Sequence, residues 1–160
     1  MNIELPDNIK IEYLADNMHF AEEIAGWIYN EFIKDIRIGV TFEHVLAGVK
    51  GCKKIELPIR FAAKDGDKCA GTIAIVRNDL KCRNYTPWLA SLYVGIPYRN
   101  NKIGERLVEK IKATAVELGY KELFLRTEHA SGYYEKRGWQ YVESCVDEYN
   151  VYTNVFRFAL

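Results

Sequence analysis

One segment restricts the fold more than any other, because residues 88–107 are typical of a strand that passes through a short loop into a helix. Residues 88–94 form the predicted strand, a glycine and a proline interrupt it, and the next helix carries Arg99 and Lys102 in its predicted first turn. The backbone N–H groups at a helix start lack partners within the helix, and the helix dipole adds partial positive charge there. With two cationic side chains, and with Gly104 allowing close approach, the segment predicts a pyrophosphate site.

Length and charge narrow the class of protein. A chain of 160 residues is the size of one ordinary domain and can bury a sizeable core, so residues 1–160 are predicted to form a single domain. The 22 lysines and arginines balance the 22 aspartates and glutamates. A general binder of polyanions carries an excess of basic residues, so no nucleic-acid partner is expected.

The cysteines and the N-terminus indicate a cytoplasmic protein. The four cysteines show no C-x-x-C pair and no histidines at ligand spacing, which predicts reduced thiols and no metal. The chain opens with charges and a proline rather than with the apolar run of a signal peptide. Its apolar runs are also much shorter than the ~20 residues that span a bilayer, so no membrane partner is expected.

Hydrophobic periodicity places the first elements. Residues 9–14 alternate apolar and polar side chains, which is the period of a half-buried strand. Asp16 or Asn17 is predicted to cap the long amphipathic helix that follows, and Thr41 is predicted to cap a second helix over residues 42–50.

The remaining elements complete an α/β pattern. We predict strands over residues 57–63 and 69–77 joined by a tight turn, followed by a loop over 78–87. The strand and helix of the first segment come next, and Gly119 ends that helix. The chain then continues with a strand over 123–127, a short helix over 130–137, and strands over 139–146 and 151–158. This order mixes hairpins with helical connections. It predicts a mixed, mostly antiparallel central sheet of about seven strands flanked by helices.

A second motif, the run YYEKRGW over residues 133–139, makes a family resemblance visible. With the first segment it resembles the GCN5-related N-acetyltransferases (GNAT), which carry Arg/Gln-x-x-Gly-x-Gly/Ala after the fourth strand and Phe/Tyr-Tyr-Glu-Lys-x-Gly-Phe/Trp near the end. Arg99 and Gly104 occupy the outer positions of the first motif, but Lys102 replaces its inner glycine. A side chain at that position either crowds a pyrophosphate or adds its charge to the binding site.

The resemblance implies an acyl-CoA N-acyltransferase-like fold and acetyl-CoA as the acetyl donor. The loop after the fourth strand would hold the pyrophosphate, and the backbone of the strand would pair with the pantetheine arm as an added strand. The residues implied in cofactor binding are Leu92, Tyr93, Val94, Arg99, Asn100, Asn101, Lys102, Ile103, Gly104 and Glu105.

Catalytic roles follow from the same resemblance. Tyr134 matches the tyrosine that protonates the departing sulfur, and a phenol with a pKa near ~10 is matched closely enough to a thiol near ~8.5 for that role. Glu128, with His129 beside it, is the candidate general base, and Glu31 on the first long helix is its rival; capping of the next helix is the alternative role for Glu128. Glu31, Trp88 and Ser91 are the candidate acceptor contacts.

The sequence therefore predicts an N-acetyltransferase that acts on a primary amine, most simply of a small molecule. The amine would attack the thioester directly, because no cysteine has the setting of a nucleophile. Two alternatives stay open: a non-catalytic acyl-CoA-binding or partner-binding module, and an enzyme that acetylates a protein N-terminus or lysine. Homodimerisation is a further expectation from the resemblance.

Overall fold

A computed structural model describes residues 6–160 of the chain. The strands are β1 Ile9–Tyr13, β2 Ile59–Asp65, β3 Lys68–Val76, β4 Trp88–Val94, β5 Glu122–Thr127, β6 Gln140–Val146 and β7 Tyr152–Ala159. The α-helices are α1 Ala21–Ile28, α2 Phe42–Lys50, α3 Ile103–Glu117 and α4 Ser131–Glu135. No helix in this range has the length and apolar character that crossing a bilayer requires.

The seven strands form one sheet in the order β1-β2-β3-β4-β5-β7-β6. Every neighbouring pair is antiparallel except β4 and β5, which are parallel. That parallel pair meets only where Trp88 lies opposite Phe124, and the Phe124 N–H donates to the Pro87 carbonyl at 2.9 Å. The predicted mixed sheet is confirmed, and it splits beyond Trp88.

A bulge in β4 lies beside this split. The register between β3 and β4 shifts between Thr72 and Ala74, and Ser91 takes a positive φ of 55° on the bulged strand. Opposite the bulge, a Cβ added to Gly71 would lie only 2.9 Å from the Tyr93 carbonyl oxygen. The strands approach so closely here that only glycine fits on β3 without displacing the backbone of β4.

The helices cover both faces of the sheet. On one face α3 places Ile103, Leu107 and Ile111 against β2 to β5, and each of these side chains is at most 2% exposed. On the other face α1 and α2 pack over Ala62 and Cys69 of the sheet. Burying each large aliphatic side chain contributes about 1.5–3 kcal/mol to the free energy of unfolding, so both helical layers stabilise the sheet.

The start of the first helix differs from the sequence prediction. Two 3₁₀ turns follow β1, and α1 begins at Ala21 without a side-chain cap, so the prediction that Asp16 or Asn17 caps it is wrong. The Asn17 side chain instead donates to the Tyr13 carbonyl oxygen at 2.9 Å and stabilises the first turn. The predicted long helix also changes character, because Tyr29–Ile33 forms a π-helical turn.

Several local predictions are confirmed. The Thr41 hydroxyl accepts a hydrogen bond from the His44 N–H at 3.1 Å and caps α2. Gly66 takes a φ of 57° in the hairpin turn between β2 and β3, and Gly119 takes a φ of 89° after α3. These positions were readable because the conformation each turn requires strongly favours one residue type.

Candidate active site

A cleft of about 490 Å³ opens where β4 and β5 separate. Side chains alternate along β5, so Leu123 and Leu125 face α3 while Arg126 faces the opposite side of the sheet. The cleft is lined by Tyr134 from the α3 side and by Asp79 with Arg126 on the other. It therefore passes through the sheet and joins its two faces.

The loop between β4 and α3 differs in detail from the prediction. α3 begins at Ile103, so Arg99 and Lys102 lie before the helix and not in its first turn. Asn100 and Lys102 both take left-handed backbone conformations, with φ of 67° and 62°. A left-handed φ is the conformation that glycine adopts without cost, which explains the glycine in the family motif at the position of Lys102.

This loop presents unpaired backbone donors. Within residues 6–160, no hydrogen bond is donated by the six backbone N–H groups of residues 100–105, and α3 has no side-chain cap. The Asn101 side chain donates to the carbonyl oxygens of Tyr98 and Arg99 at 3.2 Å, which fixes the loop while leaving the N–H groups free. A run of free N–H groups at a helix start is an anion-binding arrangement.

Arg99 lies at the mouth of the cleft. Its Nε donates to the Val94 carbonyl oxygen at 2.9 Å, and its guanidinium lies 5.3 Å from the centre of the Tyr93 ring. Leu92, Tyr93, Val94 and Arg99 all line the cleft.

The residues that begin α3 contribute in different ways. Ile103 is 2% exposed, so only its backbone can reach a ligand. A Cβ on Gly104 would meet Val94 at an ordinary 3.6 Å, so the ligand-free packing does not require glycine there. Glu105 forms an ion pair with Arg137 at 3.0 Å and ties α3 to α4.

Tyr134 projects from α4 into the cleft wall and is 8% exposed. Its ring packs edge-on against Tyr133 and Trp139, with centroid distances of 5.1 and 5.9 Å. Burial, with a smaller effect of Tyr133, raises the pKa of Tyr134 to about 12. The phenol therefore keeps its proton throughout the neutral range and can act as a donor.

Glu128 is held by two partners. Its Oε1 lies 3.0 Å from Nη2 of Arg37, and its Oε2 accepts a hydrogen bond from the Thr153 hydroxyl at 2.8 Å. The alternative in which Glu128 caps α4 is wrong, because the Thr127 hydroxyl accepts from the Ala130 N–H at 2.9 Å instead.

A buried charge cluster extends from Glu128 along the far side of the cleft. Asp147 has a fully buried side chain and lies 3.1 Å from Arg37 and 3.3 Å from Arg126. Burial favours a higher pKa for Asp147, but the Val151 and Tyr149 amides and the two arginines outweigh it and lower the pKa. Asp147 is therefore an ionised member of the cluster.

The three residues predicted to contact the acceptor differ in where their side chains lie. Trp88 has no exposed surface and packs against Phe124, so the prediction that its side chain contacts the acceptor is wrong. A tryptophan that begins a strand faces either the core or the cleft, and the strand pattern alone does not say which. Ser91 and Glu31 do line the cleft, with Glu31 exposed on the π-helical turn.

Sequence reasoning missed Arg37, Asp79 and Arg126. None belongs to a recognisable motif, and the three come from the loop after α1, the β3–β4 loop and β5. No spacing connects them. One weak indication of this site was present in the sequence. Arg126 interrupts an apolar strand on the face opposite Leu125, and a charged side chain that is buried there needs a partner of opposite charge.

The family model of the acetyltransferase (GNAT) family matches residues 22–139, which is most of the chain. The split sheet and its cleft agree with this match, and the protein belongs to the GNAT family of acetyltransferases. No curated protein sequence gives a significant match.

Solved structures share the fold over nearly the full length. A GNAT-family acetyltransferase from Staphylococcus aureus has a TM-score of 0.73 at 21% identity, covering 95% of this chain and 99% of that one. An aminoglycoside 6'-N-acetyltransferase complexed with coenzyme A has a TM-score of 0.71 at 17% identity, covering 94% and 96%. The aminoglycoside 6'-N-acetyltransferase from Enterococcus faecium has a TM-score of 0.69 at 18% identity, with the same coverage. At such identities the similarity shows the fold alone.

Proposed function

We propose that this protein transfers an acetyl group from acetyl-CoA to a primary amine of a small molecule, by direct attack of the amine within a ternary complex. One observation carries the proposal: a single cleft contains Arg99 from the loop of free N–H groups, a buried neutral phenol, and both carboxylates and arginines on the opposite face of the sheet. These are the three parts that donor binding, leaving-group protonation and amine binding require.

The residues fit coenzyme A. The free N–H groups of residues 100–105, with the charges of Arg99 and Lys102, suit a pyrophosphate. Among residues 6–160, no strand pairs with residues 89–94 of β4 on the β5 side, so their backbone is available to pair with the two amides of a pantetheine arm. A structural neighbour complexed with coenzyme A supports this assignment.

The chemistry needs little from the protein beyond placement and one proton donor. The neutral amine attacks the thioester carbonyl, a C–N bond forms and the C–S bond breaks. Tyr134 gives its phenol proton to the departing thiolate, and it regains a proton from the nitrogen as the amide forms. A pKa of about 12 keeps this phenol protonated until the thiolate appears, but it also makes the phenol a weaker acid than an ordinary tyrosine with a pKa near ~10.

The acceptor is proposed to be small and cationic. A cleft of about 490 Å³ matches the size of small-molecule sites, which run from about 300 to 1,000 Å³. On the acceptor side, the carboxylates of Glu31 and Asp79 line the cleft and are available to an ammonium group. The aminoglycoside acetyltransferases among the structural neighbours support an amine-bearing small molecule.

Glu128 is proposed to position Arg37 rather than to take the proton. Both of its carboxylate oxygens already accept hydrogen bonds, so a substrate nitrogen would have to displace Arg37 or Thr153.

The first test is calorimetric binding of acetyl-CoA and of free coenzyme A to the wild type and to Arg99→Ala. Loss of a charge-assisted contact worth about 1.5–3 kcal/mol weakens binding roughly ten- to a hundredfold. An amine screen with the wild type follows. Binding without transfer to any amine would replace the enzyme proposal with the non-catalytic acyl-CoA-binding module, and absence of binding would remove both.

The second test is Tyr134→Phe. It keeps the packing and removes the proton donor, so turnover falls about 10²- to 10⁴-fold while the affinity for acetyl-CoA stays nearly unchanged. Tyr141→Phe is the matched control, because Tyr141 lies exposed on β6, outside the cleft lining. Full turnover in Tyr134→Phe would remove the acid role.

A further inference from the structure

The acceptor amine arrives protonated, because a primary alkylamine has a pKa near ~10.4, so a group in the cleft must take its proton. Three carboxylates line the cleft: those of Glu31, Asp79 and Glu128. Glu128 has both oxygens occupied, and Glu31 is exposed on the π-helical turn. His129, the other basic candidate in the lining, is also exposed.

Asp79 differs from these groups in its contacts. Its side chain is 34% exposed, and its closest charged partner is Nε of Arg126 at 3.6 Å. Within residues 6–160 no hydrogen bond ends on its carboxylate, so its oxygens remain free to accept a proton. Asp79 is thus an incompletely paired carboxylate at the wall of the cleft.

The backbone around Asp79 is fixed on both sides. The Asn78 side chain accepts a hydrogen bond from the Leu80 N–H at 3.1 Å and donates to the Arg83 carbonyl oxygen at 2.8 Å. Leu80 is 1% exposed and packs with Trp88 in the core. A side chain between two anchored residues is placed as a catalytic group must be.

From this placement we propose that Asp79 is the general base of the transfer and accepts a proton from the acceptor amine. The inference rests on the proposed acetyl transfer. An ammonium N–H bond breaks and its proton moves to a carboxylate oxygen of Asp79, which frees the nitrogen lone pair to form the C–N bond. The proton then leaves to water, and the leaving thiolate receives its own proton from Tyr134.

Charged residues from the elements around Asp79 affect its pKa. Although 34% of its side chain is exposed, desolvation in the cleft wall has the largest effect and raises the pKa of Asp79 to about 6. Arg126 and Arg37 oppose this rise, whereas Glu128 and Glu148 add to it. A carboxylate with that pKa is ionised at neutral pH and is still basic enough to receive a proton.

The experiment is the pH dependence of kcat/KM for the best amine of the screen. In the wild type kcat/KM falls on the acid side of about pH 6 as Asp79 becomes protonated. Asp79→Asn loses this acidic limb and lowers kcat/KM about 10²- to 10⁴-fold, whereas Asp79→Glu retains the limb. Acetyl-CoA affinity stays within about twofold in both. Asp67→Asn, in the exposed turn between β2 and β3, is the control with unchanged kinetics.

Glu148→Gln provides a second test that does not alter Asp79. Glu148 is exposed, so its replacement leaves the core intact, and removal of its negative charge shifts the acidic limb toward lower pH, most clearly at low salt. A wild-type rate and profile in Asp79→Asn, or an acidic limb that Glu148→Gln does not move, would overturn the base role while acetyl transfer stands. A wild type that binds acetyl-CoA but acetylates no amine would instead overturn the proposed function and the base role with it.

Discussion

Gly71→Ala tests how tightly the bulged strand β4 is fixed. A Cβ at this position lies 2.9 Å from the Tyr93 carbonyl oxygen, 3.4 Å from a Leu107 methyl and 3.5 Å from the Val94 Cα. The first contact is with backbone, and β4 is bound to β3 on both sides of the bulge. The strain cannot be removed by a side-chain rotation, so β4 must move by several tenths of an ångström.

The size of the effect follows from this geometry. Forcing one extra carbon into a packed interior costs typically about 1–3 kcal/mol. For a chain of this length, 1 kcal/mol lowers the melting temperature by about 2–4 °C, so Gly71→Ala is expected to lower it by roughly 2–12 °C. Because Tyr93 and Val94 line the cleft, the variant should also bind acetyl-CoA more weakly.

Urea denaturation and calorimetric binding measure the two effects on the same sample. Gly26→Ala is the matched control, since no atom lies within 4 Å of its added Cβ and Gly26 lies inside α1. It should stabilise the protein by up to about 1 kcal/mol. If Gly71→Ala unfolds at the same urea concentration as the wild type and binds acetyl-CoA equally well, the argument for a rigid bulge is wrong.

Three further predictions concern charges and backbone strain. Arg37→Gln removes the arginine partner of Glu128 and leaves the buried Asp147 with Arg126 alone, so it should lower the free energy of unfolding by about 3 kcal/mol in urea, whereas Arg157→Gln, which breaks an exposed pair, costs less than about 1 kcal/mol. Lys102→Gly relieves a left-handed φ and should raise the free energy of unfolding by about 0.5–1 kcal/mol, with no gain in Lys102→Ala. Hydrogen bonds from Arg83 and Tyr85 lower the pKa of Glu143 to about 2. The contribution of Glu143 to the free energy of unfolding is therefore present above about pH 4.3 and lost as the pH falls toward 2. The difference in that free energy between the wild type and Glu143→Gln should vanish over the same range.

Local features were predictable because they depend on residues close together in sequence. The strand–loop–helix segment and the run over residues 133–139 indicated the fold, and turn residues such as Gly66 indicated the positions of the hairpins. The conformation of Lys102 was not predictable, since a lysine gives no sign of a positive φ.

The acceptor side of the cleft could not be predicted from the sequence for a different reason. Arg37 and Asp147 are 110 residues apart, and only the completed sheet brings them to a distance of 3.1 Å. Charged residues in loops usually remain in solvent, so burial of these two could not be anticipated. Trp88 shows the converse error, because an aromatic side chain at a strand start faces the core or a pocket according to tertiary packing alone.

The single contact between β4 and β5 also has a consequence for folding. The strands on one side of the split use residues 9–94 and those on the other use residues 122–159, so each half of the sheet pairs mainly with its own part of the chain. Pairings close in sequence form quickly, and the seam between the halves depends on α3 and on the long-range bonds of Arg37. We therefore expect the cleft to be completed last when the chain folds and to open first in mild denaturant, with ligand binding lost before the hairpins melt.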